Sequence, residues 1–337
     1  MKLPELPRYE LLQTPTLLQR LERTERALRR PNLYVKRDDL MPIAMGGNKL
    51  RSLEYWLGAA LRQQADVVLV AGAPISNLCR LTAAAASMAG LECIVLHSGV
   101  EDPPARRASF LNRLFGASVR YLGAVDELRR AQAVEQTAAE LRKQGRRPYI
   151  IGDEGLGALG YVRAAQELFD QCRQNDPQVR HVLLPGSMGP TEAGFALGNA
   201  LLGHPFEVHL VSVEYALSEL AARLSRCYRA AAALMQTAAA DAPPLDERRI
   251  HYHMDYLGAG YARPSPESEA AILWFARTEG ILLEHIYSAK TFACFLDLAR
   301  GGTLGSDEAV CVFHTGGVPA LFTQFESFRT LPLEGGG

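Results

Sequence analysis

Short runs of aliphatic and β-branched residues recur along the chain, separated by longer stretches whose apolar positions return with helical period. Eight of these runs read as strands, at residues 33–36, 67–70, 93–96, 119–122, 149–151, 182–184, 208–211 and 310–313. Most are apolar throughout, the pattern of a strand covered on both faces, and their alternation with helical segments predicts parallel sheets under layers of helix. Between them, Leu50, Leu53, Leu57, Ala60 and Leu61 share one helical face. The Ala-rich segment 81–89 ends at Gly90, where a helix favours glycine just past its last turn. Ser265-Pro266 reads as a cap and first residue of a helix running to about Gly280. The prolines of segment 237–244 mark a surface excursion, and Gly335 to Gly337 a disordered tail.

At 337 residues the chain exceeds what one core usually organises, so two domains or one large α/β unit is expected. Its 36 Lys and Arg balance 37 Asp and Glu, which leaves no global field to favour nucleic acid or an anionic membrane. Six scattered cysteines form no Cys-x-x-Cys pair, so neither a metal site nor a redox dithiol is expected. Proline and charge interrupt residues 1–7 before a signal-peptide core forms, and no run approaches the roughly eighteen apolar residues of a membrane helix. A cytoplasmic enzyme acting on small molecules is the resulting expectation.

Four local motifs carry candidate chemistry. Met45-Gly46-Gly47-Asn48-Lys49 places a lysine at a helix start, where the dipole disfavours its charge and prepares an amine nucleophile; a solvated capping turn is the bland alternative. Ala71 to Arg80, containing Ser76-Asn77-Leu78, follows a strand and opens a helix, the usual ligand position of an open parallel sheet. Gly186-Ser187-Met188-Gly189-Pro190-Thr191-Glu192 joins another strand to a helix and offers anion donors. His314-Thr315-Gly316-Gly317 closes the last strand. Each motif alone is weak.

Together, in this order, the four blocks resemble the D-cysteine desulfhydrase and 1-aminocyclopropane-1-carboxylate (ACC) deaminase family of pyridoxal 5′-phosphate enzymes, with the tryptophan-synthase-β-like fold. The match runs from Tyr34-Val35-Lys36-Arg37-Asp38-Asp39 through Gly260-Tyr261 and Tyr287 to Gly317. It implies two open, mostly parallel sheets covered by helices with the cofactor between two domains, a small one at 50–160 and a discontinuous large one at 1–49 plus 161–337. A homodimer is implied as well. By this resemblance Lys49 is the Schiff-base lysine, Asn77 meets the pyridoxal 3′-oxygen, and Gly186, Ser187, Gly189 and Thr191 hold the phosphate. Thr315 lies on the pyridine-nitrogen side. Ser76, Asn77, Leu78, Tyr261, Tyr287 and Ser288 face the substrate, with Lys49, Ser76 and the two tyrosines as the catalytic set. Ser288 and Thr315 follow the desulfhydrase pattern. The implied reaction is β-elimination from a small β-substituted amino acid, Lys49 removing the α-proton, giving a 2-oxo acid and ammonia. A β-replacement synthase and a non-catalytic scaffold are the competing readings.

Departures cluster around this site. Leu78 replaces a histidine of the family, Ser52 a lysine, and Met188, Pro190 and Glu192 alter the phosphate loop. Pro190 removes one N–H donor, and Glu192 would repel a phosphate if turned inward. Arg51 stands beside the missing charge of Ser52. Asp153 and Glu154 add two carboxylates near the expected cleft, read here as a solvated turn.

Overall fold

An interior strand must hide both faces, and the apolar runs do so. The computed structural model describes residues 6–101, 109–175, 178–236, 242–324 and Phe328. Residues 1–5, most of the excursion read at 237–244 and the terminal glycines lie outside these. Among the described residues the strands are β1 (Leu18–Arg20), β2 (Leu33–Arg37), β3 (Val67–Gly72), β4 (Glu92–His97), β5 (Ser118–Tyr121), β6 (Pro148–Ile150), β7 (Val179–Gly186), β8 (Glu207–Ser212), β9 (Ile250–His253) and β10 (Ala309–His314). The helices are α1 (Glu22–Leu28), α2 (Lys49–Arg62), α3 (Asn77–Met88), α4 (Phe110–Leu114), α5 (Glu127–Lys143), α6 (Glu154–Asn175), α7 (Pro190–Leu201), α8 (Leu217–Gln236), α9 (Pro266–Thr278), α10 (Ser288–Arg300) and α11 (Val318–Leu321). Ser265 caps α9 through a capping box, as its sequence requires.

The strands form two sheets, ordered β1-β2-β10-β7-β8-β9 and β5-β4-β3-β6. All neighbours are parallel except β1 on β2. In the larger sheet, Val182 and Leu184 face α6, α7 and α8, while the intervening Leu183 faces α9 and α10. The smaller sheet turns Val68 and Val70 toward α2 and α3, and Val67 and Leu69 toward α5. Each large apolar side chain buried this way contributes about 1.5–3 kcal/mol. Leu61 departs from its predicted face: Leu50, Leu53, Leu57 and Ala60 are fully buried, whereas Leu61 is exposed near the end of α2.

The two strands that the apolar pattern did not predict, β1 and β9, are the edges of the larger sheet, where one side needs no neighbour. A file of imidazoles ties β9 inward. His253 Nε2 lies 2.9 Å from His209 Nδ1, His209 Nε2 3.0 Å from His181 Nδ1, and His181 Nε2 3.2 Å from Glu308.

Helix α6 lies between α2 and α7 and meets both backbone to backbone. A Cβ on Gly160 would stand 2.3 Å from the Arg51 carbonyl oxygen, and one on Gly194 of α7 1.9 Å from that of Ala158. Only glycine permits this approach. Beside the seam, Arg51 turns away from the cleft, so it does not make up for the charge that Ser52 lacks. Its guanidinium is claimed by Asp38 at 2.8 and 2.9 Å and Glu167 at 2.9 Å, both buried in the large-sheet layer. Lys36 also pairs with Glu167, and the Tyr161 hydroxyl donates to Asp38 at 2.6 Å. Ser52 is likewise turned inward, its hydroxyl donating to the Gly157 carbonyl at 2.7 Å.

Candidate active site

The carboxyl ends of β3, β7, β8 and β10 border one cleft, holding about 1170 Å³ of space counted to its open mouth. Parallel strands place their following loops and helix N-termini at this end, so all four motifs reach it. Gly46-Gly47 and Gly316-Gly317 allow the first and last motifs to touch: a Cβ on Gly316 would stand 2.6 Å from the Gly47 Cα. The Asn48 N–H donates to the Thr315 carbonyl at 3.0 Å, and its side-chain amide donates to the Thr191 hydroxyl at 3.0 Å. Three motifs are thereby fixed around Lys49, the first residue of α2, which lines the cleft. Burial pushes the Lys49 ammonium down from its ordinary pKa, and the carboxylates of Glu192 and Glu214 oppose that push.

At the second motif Ser76 caps α3, its hydroxyl accepting from the Cys79 N–H at 3.3 Å. Asn77 accepts from Arg80 at 3.1 Å, and Arg80 in turn donates to the Gly46 carbonyl at 3.2 Å, so Asn77 is oriented from the Lys49 loop. Ser76, Asn77 and Leu78 all line the cleft.

The third motif forms an anion nest, and its occupant is internal. Gly189, at φ 110°, precedes Pro190 at the first position of α7, where the helix itself needs no N–H. The buried Glu192 carboxylate folds back onto the main-chain N–H groups of Ser187, Gly189 and Glu192. Burial raises its pKa, and those three donors together with Lys49 oppose the rise. The Ser187 hydroxyl donates to Glu214 at 2.5 Å. Ser187, Thr191 and Thr315 line the cleft; Gly186 does not, and instead admits Leu220, whose Cδ2 would stand 2.9 Å from an added Cβ. Gly189 also stays outside the lining, packed on Cys227, and contributes its N–H alone.

Tyr261 and Tyr287 meet at the opposite wall, hydroxyl to hydroxyl at 2.6 Å with rings at 69°. Burial pushes the Tyr261 phenol up to about 12 and raises that of Tyr287 further. The Tyr261 loop is held by the buried Lys290, which donates to the carbonyls of Leu257 at 2.7 Å and Gly260 at 2.8 Å. Ser288 corrects the expectation of a substrate contact. Its hydroxyl donates to the Glu284 carboxylate at 3.0 Å and accepts the Glu284 N–H at 2.9 Å, so it closes the N-terminus of α10 and does not line the cleft. His314 is structural too, bonded to the Leu282 carbonyl at 2.8 Å and the Gly316 N–H at 3.2 Å.

Lining residues that lie outside both the four motifs and the predicted site set include Trp56, Arg130, Glu154 and Glu214. Glu154 was read as part of a solvated turn; it lines the cleft and pairs with Arg226 at 2.7 and 2.8 Å, which lowers its pKa. Its neighbour Asp153 does behave as a turn residue, accepting from the Leu156 N–H. Glu214 directly follows β8 and its Val213, a placement at a strand's carboxyl end that the sequence signalled. Trp56 sits mid-helix and Arg130 in the first turn of α5, neither with a local signature.

Comparison with known proteins agrees with this geometry. The family model described as "Pyridoxal-phosphate dependent enzyme" matches residues 9–316. D-cysteine desulfhydrase of Salmonella schwarzengrund (strain CVM19633) is 38% identical over 333 residues, covering 95% of this chain and 97% of the relative. The D-cysteine desulfhydrase of Salmonella typhi is 37% identical over the same span. A crystal structure of an ACC deaminase homologue superposes with a TM-score of 0.85 at 31% identity, covering 96% of both chains. A fungal L-serine ammonia-lyase from Rhizomucor miehei, at 18% identity and a TM-score of 0.64 over 93% of this chain and 98% of its own, shares the fold.

Proposed function

Since this chain belongs to the family of pyridoxal-phosphate dependent enzymes, we propose that it eliminates the β-substituent of a small amino acid, D-cysteine foremost, to give a 2-oxo acid and ammonia. The observation that carries the reading is Lys49, half-buried at a helix start in the cleft that the anion nest and the capped N-terminus of α3 also border, in a chain 38% identical to a D-cysteine desulfhydrase.

The residues present fit the cofactor. Three main-chain N–H groups already converge on one carboxylate, so the nest suits an oxyanion, and Lys49 shares its cleft. In this reading Lys49 holds the cofactor covalently, Ser187, Gly189 and Thr191 hold its phosphate, Asn77 its ring oxygen, and Thr315 faces its ring nitrogen. Bound there, the cofactor supplies the electron sink that acidifies the substrate's α C–H. Once the substrate amine has displaced it from the cofactor, Lys49 Nζ would be free to take that proton, a role open to it because burial favours the neutral amine. Ser76 and the first N–H groups of α3 orient the substrate carboxylate. The tyrosine pair, one hydroxyl donating to the other across 2.6 Å and both kept protonated by burial, excludes water from the far wall and moves a proton at the leaving group.

We further assign the chain to the cytoplasm as a homodimer, its small domain spanning 50–160 and its large domain 1–49 plus 161–337. The six unpaired cysteines are in keeping with a reducing compartment. Among the described residues no helix is long and apolar enough to cross a membrane.

The test is a panel of D- and L-β-substituted alanines given to the cofactor-loaded protein. Pyruvate and ammonia are expected from D-cysteine, with both turnover and the visible cofactor band lost in Lys49→Ala. A loaded protein that turns over none of the panel overturns the reading. Sedimentation at twice the chain mass checks the dimer.

A further inference from the structure

Most charges of the cleft are spoken for. Glu154 is paired with Arg226, Glu192 and Glu214 are engaged by Ser187, and Lys49 is reserved for the cofactor in the reading above. Arg130, half-buried in the first turn of α5, also lines the cleft, and no carboxylate among the described residues pairs with it. Its guanidinium has one weak polar partner among those residues, the Ser98 hydroxyl at 3.4 Å. A guanidinium presents its N–H donors as a planar fork that fits a carboxylate two bonds at a time. Most of that fork is left for a ligand.

Contacts through the smaller sheet say which part of the ligand it meets. Ser98 directly follows β4, and its N–H donates to the carbonyl of Gly72, the last residue of β3, at 3.2 Å. Gly72 in turn packs against the first turn of α3: a Cβ there would stand 2.8 Å from Ser76 Oγ and 3.1 Å from Cys79 Sγ. This succession of contacts, Arg130 to Ser98 to Gly72 to Ser76, sets the guanidinium beside the α3 N-terminus, and Gly72, Ser76, Asn77 and Arg130 line the cleft together. The anion nest belongs to the other sheet, at the end of β7, so the phosphate has a separate place. Glu127, also in the first turn of α5, pairs with Arg223 of α8 at 2.9 Å, which pins this helix end and fixes where Arg130 stands. Asn77 and Leu78 open α3, and their N–H groups need an acceptor from outside the helix. An anion that accepts them shares its corner of the cleft with Arg130.

We propose that Arg130 binds the substrate's α-carboxylate at the N-terminus of α3, so that the cleft selects amino acids over amines that lack this group. The proposal rests on the reading of this cleft as an amino-acid site but not on elimination. Alanine, in each enantiomer, and ethylamine differ by the α-carboxylate alone and carry no leaving group. These ligands, with aspartate beside them, are titrated into cofactor-loaded wild type, Arg130→Gln and Arg130→Lys, following the cofactor's absorption. For the enantiomer of alanine that wild type prefers, the dissociation constant rises on the order of tenfold in Arg130→Gln, the scale of one charged hydrogen-bonding partner, and less in Arg130→Lys. That for ethylamine does not rise, aspartate weakens by the same factor as alanine, and the melting temperature is unchanged. An unchanged affinity for alanine in Arg130→Gln overturns the proposal. So does ethylamine weakening along with alanine, which assigns Arg130 to the placement of α5, or aspartate weakening well beyond alanine, which assigns it to the substrate's side chain. Alanine that leaves the absorption of loaded wild type unchanged in both enantiomers removes the amino-acid reading and the proposal together. Alanine binding with no pyruvate from D-cysteine removes the elimination reading alone.

Discussion

Glu192 governs how the anion nest receives a phosphate. Its carboxylate takes the main-chain donors that the proposed reading gives to the cofactor phosphate, and on that reading loading the enzyme requires that side chain to withdraw or to lose its charge. Glu192→Gln keeps the shape and removes the charge. We expect it to bind pyridoxal phosphate about tenfold more tightly, equivalent to about 1.4 kcal/mol, while pyridoxal lacking the phosphate binds as before. Titration of cofactor-free protein followed by absorbance checks both. Lys49 and Asn77 stand inside compact motifs, and Tyr261 and Tyr287 were expected there from the family resemblance; all four line the cleft. Ser288 was misassigned because adjacency to Tyr287 does not give side-chain direction; on the first turn of α10 it points back to Glu284. Arg130 carried no signal because its place depends on α5 crossing the smaller sheet.

Among the elements, interior strands were legible and edge strands were not. An interior strand needs apolar residues at successive positions, whereas β9, Ile-His-Tyr-His, needs only one core stripe, which Ile250 and Tyr252 fill, and turns its two imidazoles to the other face. That choice has a pH signature. Burial holds His209 down to about 2, and lowers His181 and His253 as well. The unfolded chain, with ordinary imidazoles near 6.5, therefore takes up protons before the folded one does. Stability from the neutral file is full above about pH 6.5 and is lost as pH falls below it toward the depressed folded values. About 1.4 kcal/mol per imidazole is lost for each pH unit of that descent. Melting temperatures between pH 7.5 and 5.0 should fall more steeply in wild type than in His209→Leu. A second element-scale outcome concerns the Tyr261 loop. Lys290→Met removes both carbonyl anchors, and kcat should drop on the order of tenfold, about 1.4 kcal/mol, with melting changed less than by a core cavity. Steady-state kinetics beside thermal denaturation separates the two.

Across the whole molecule, parallel sheets under helices followed from the alternation of strand and helix, and their division into two around a shared cleft from the family resemblance. The buried charge cluster behind them did not, because its members are distant in sequence: Lys36, Asp38, Arg51 and Glu167. Arg51→Met leaves the buried Asp38 carboxylate without its ion-pair partner, while Glu167 keeps Lys36, and should cost about 3–5 kcal/mol in denaturant unfolding. The glycine contacts of α6 carry a different consequence. Lys49 begins α2, the anion nest begins α7, and α6 holds these helices apart at van der Waals distance. The reach from lysine to phosphate is thus gauged by helix thickness and not by any loop. Lineages of this enzyme can lengthen or trim their surface loops at little cost to chemistry. A single methyl at Gly160 or Gly194 shifts the gauge itself, and that seam marks where sequence drift has to stop.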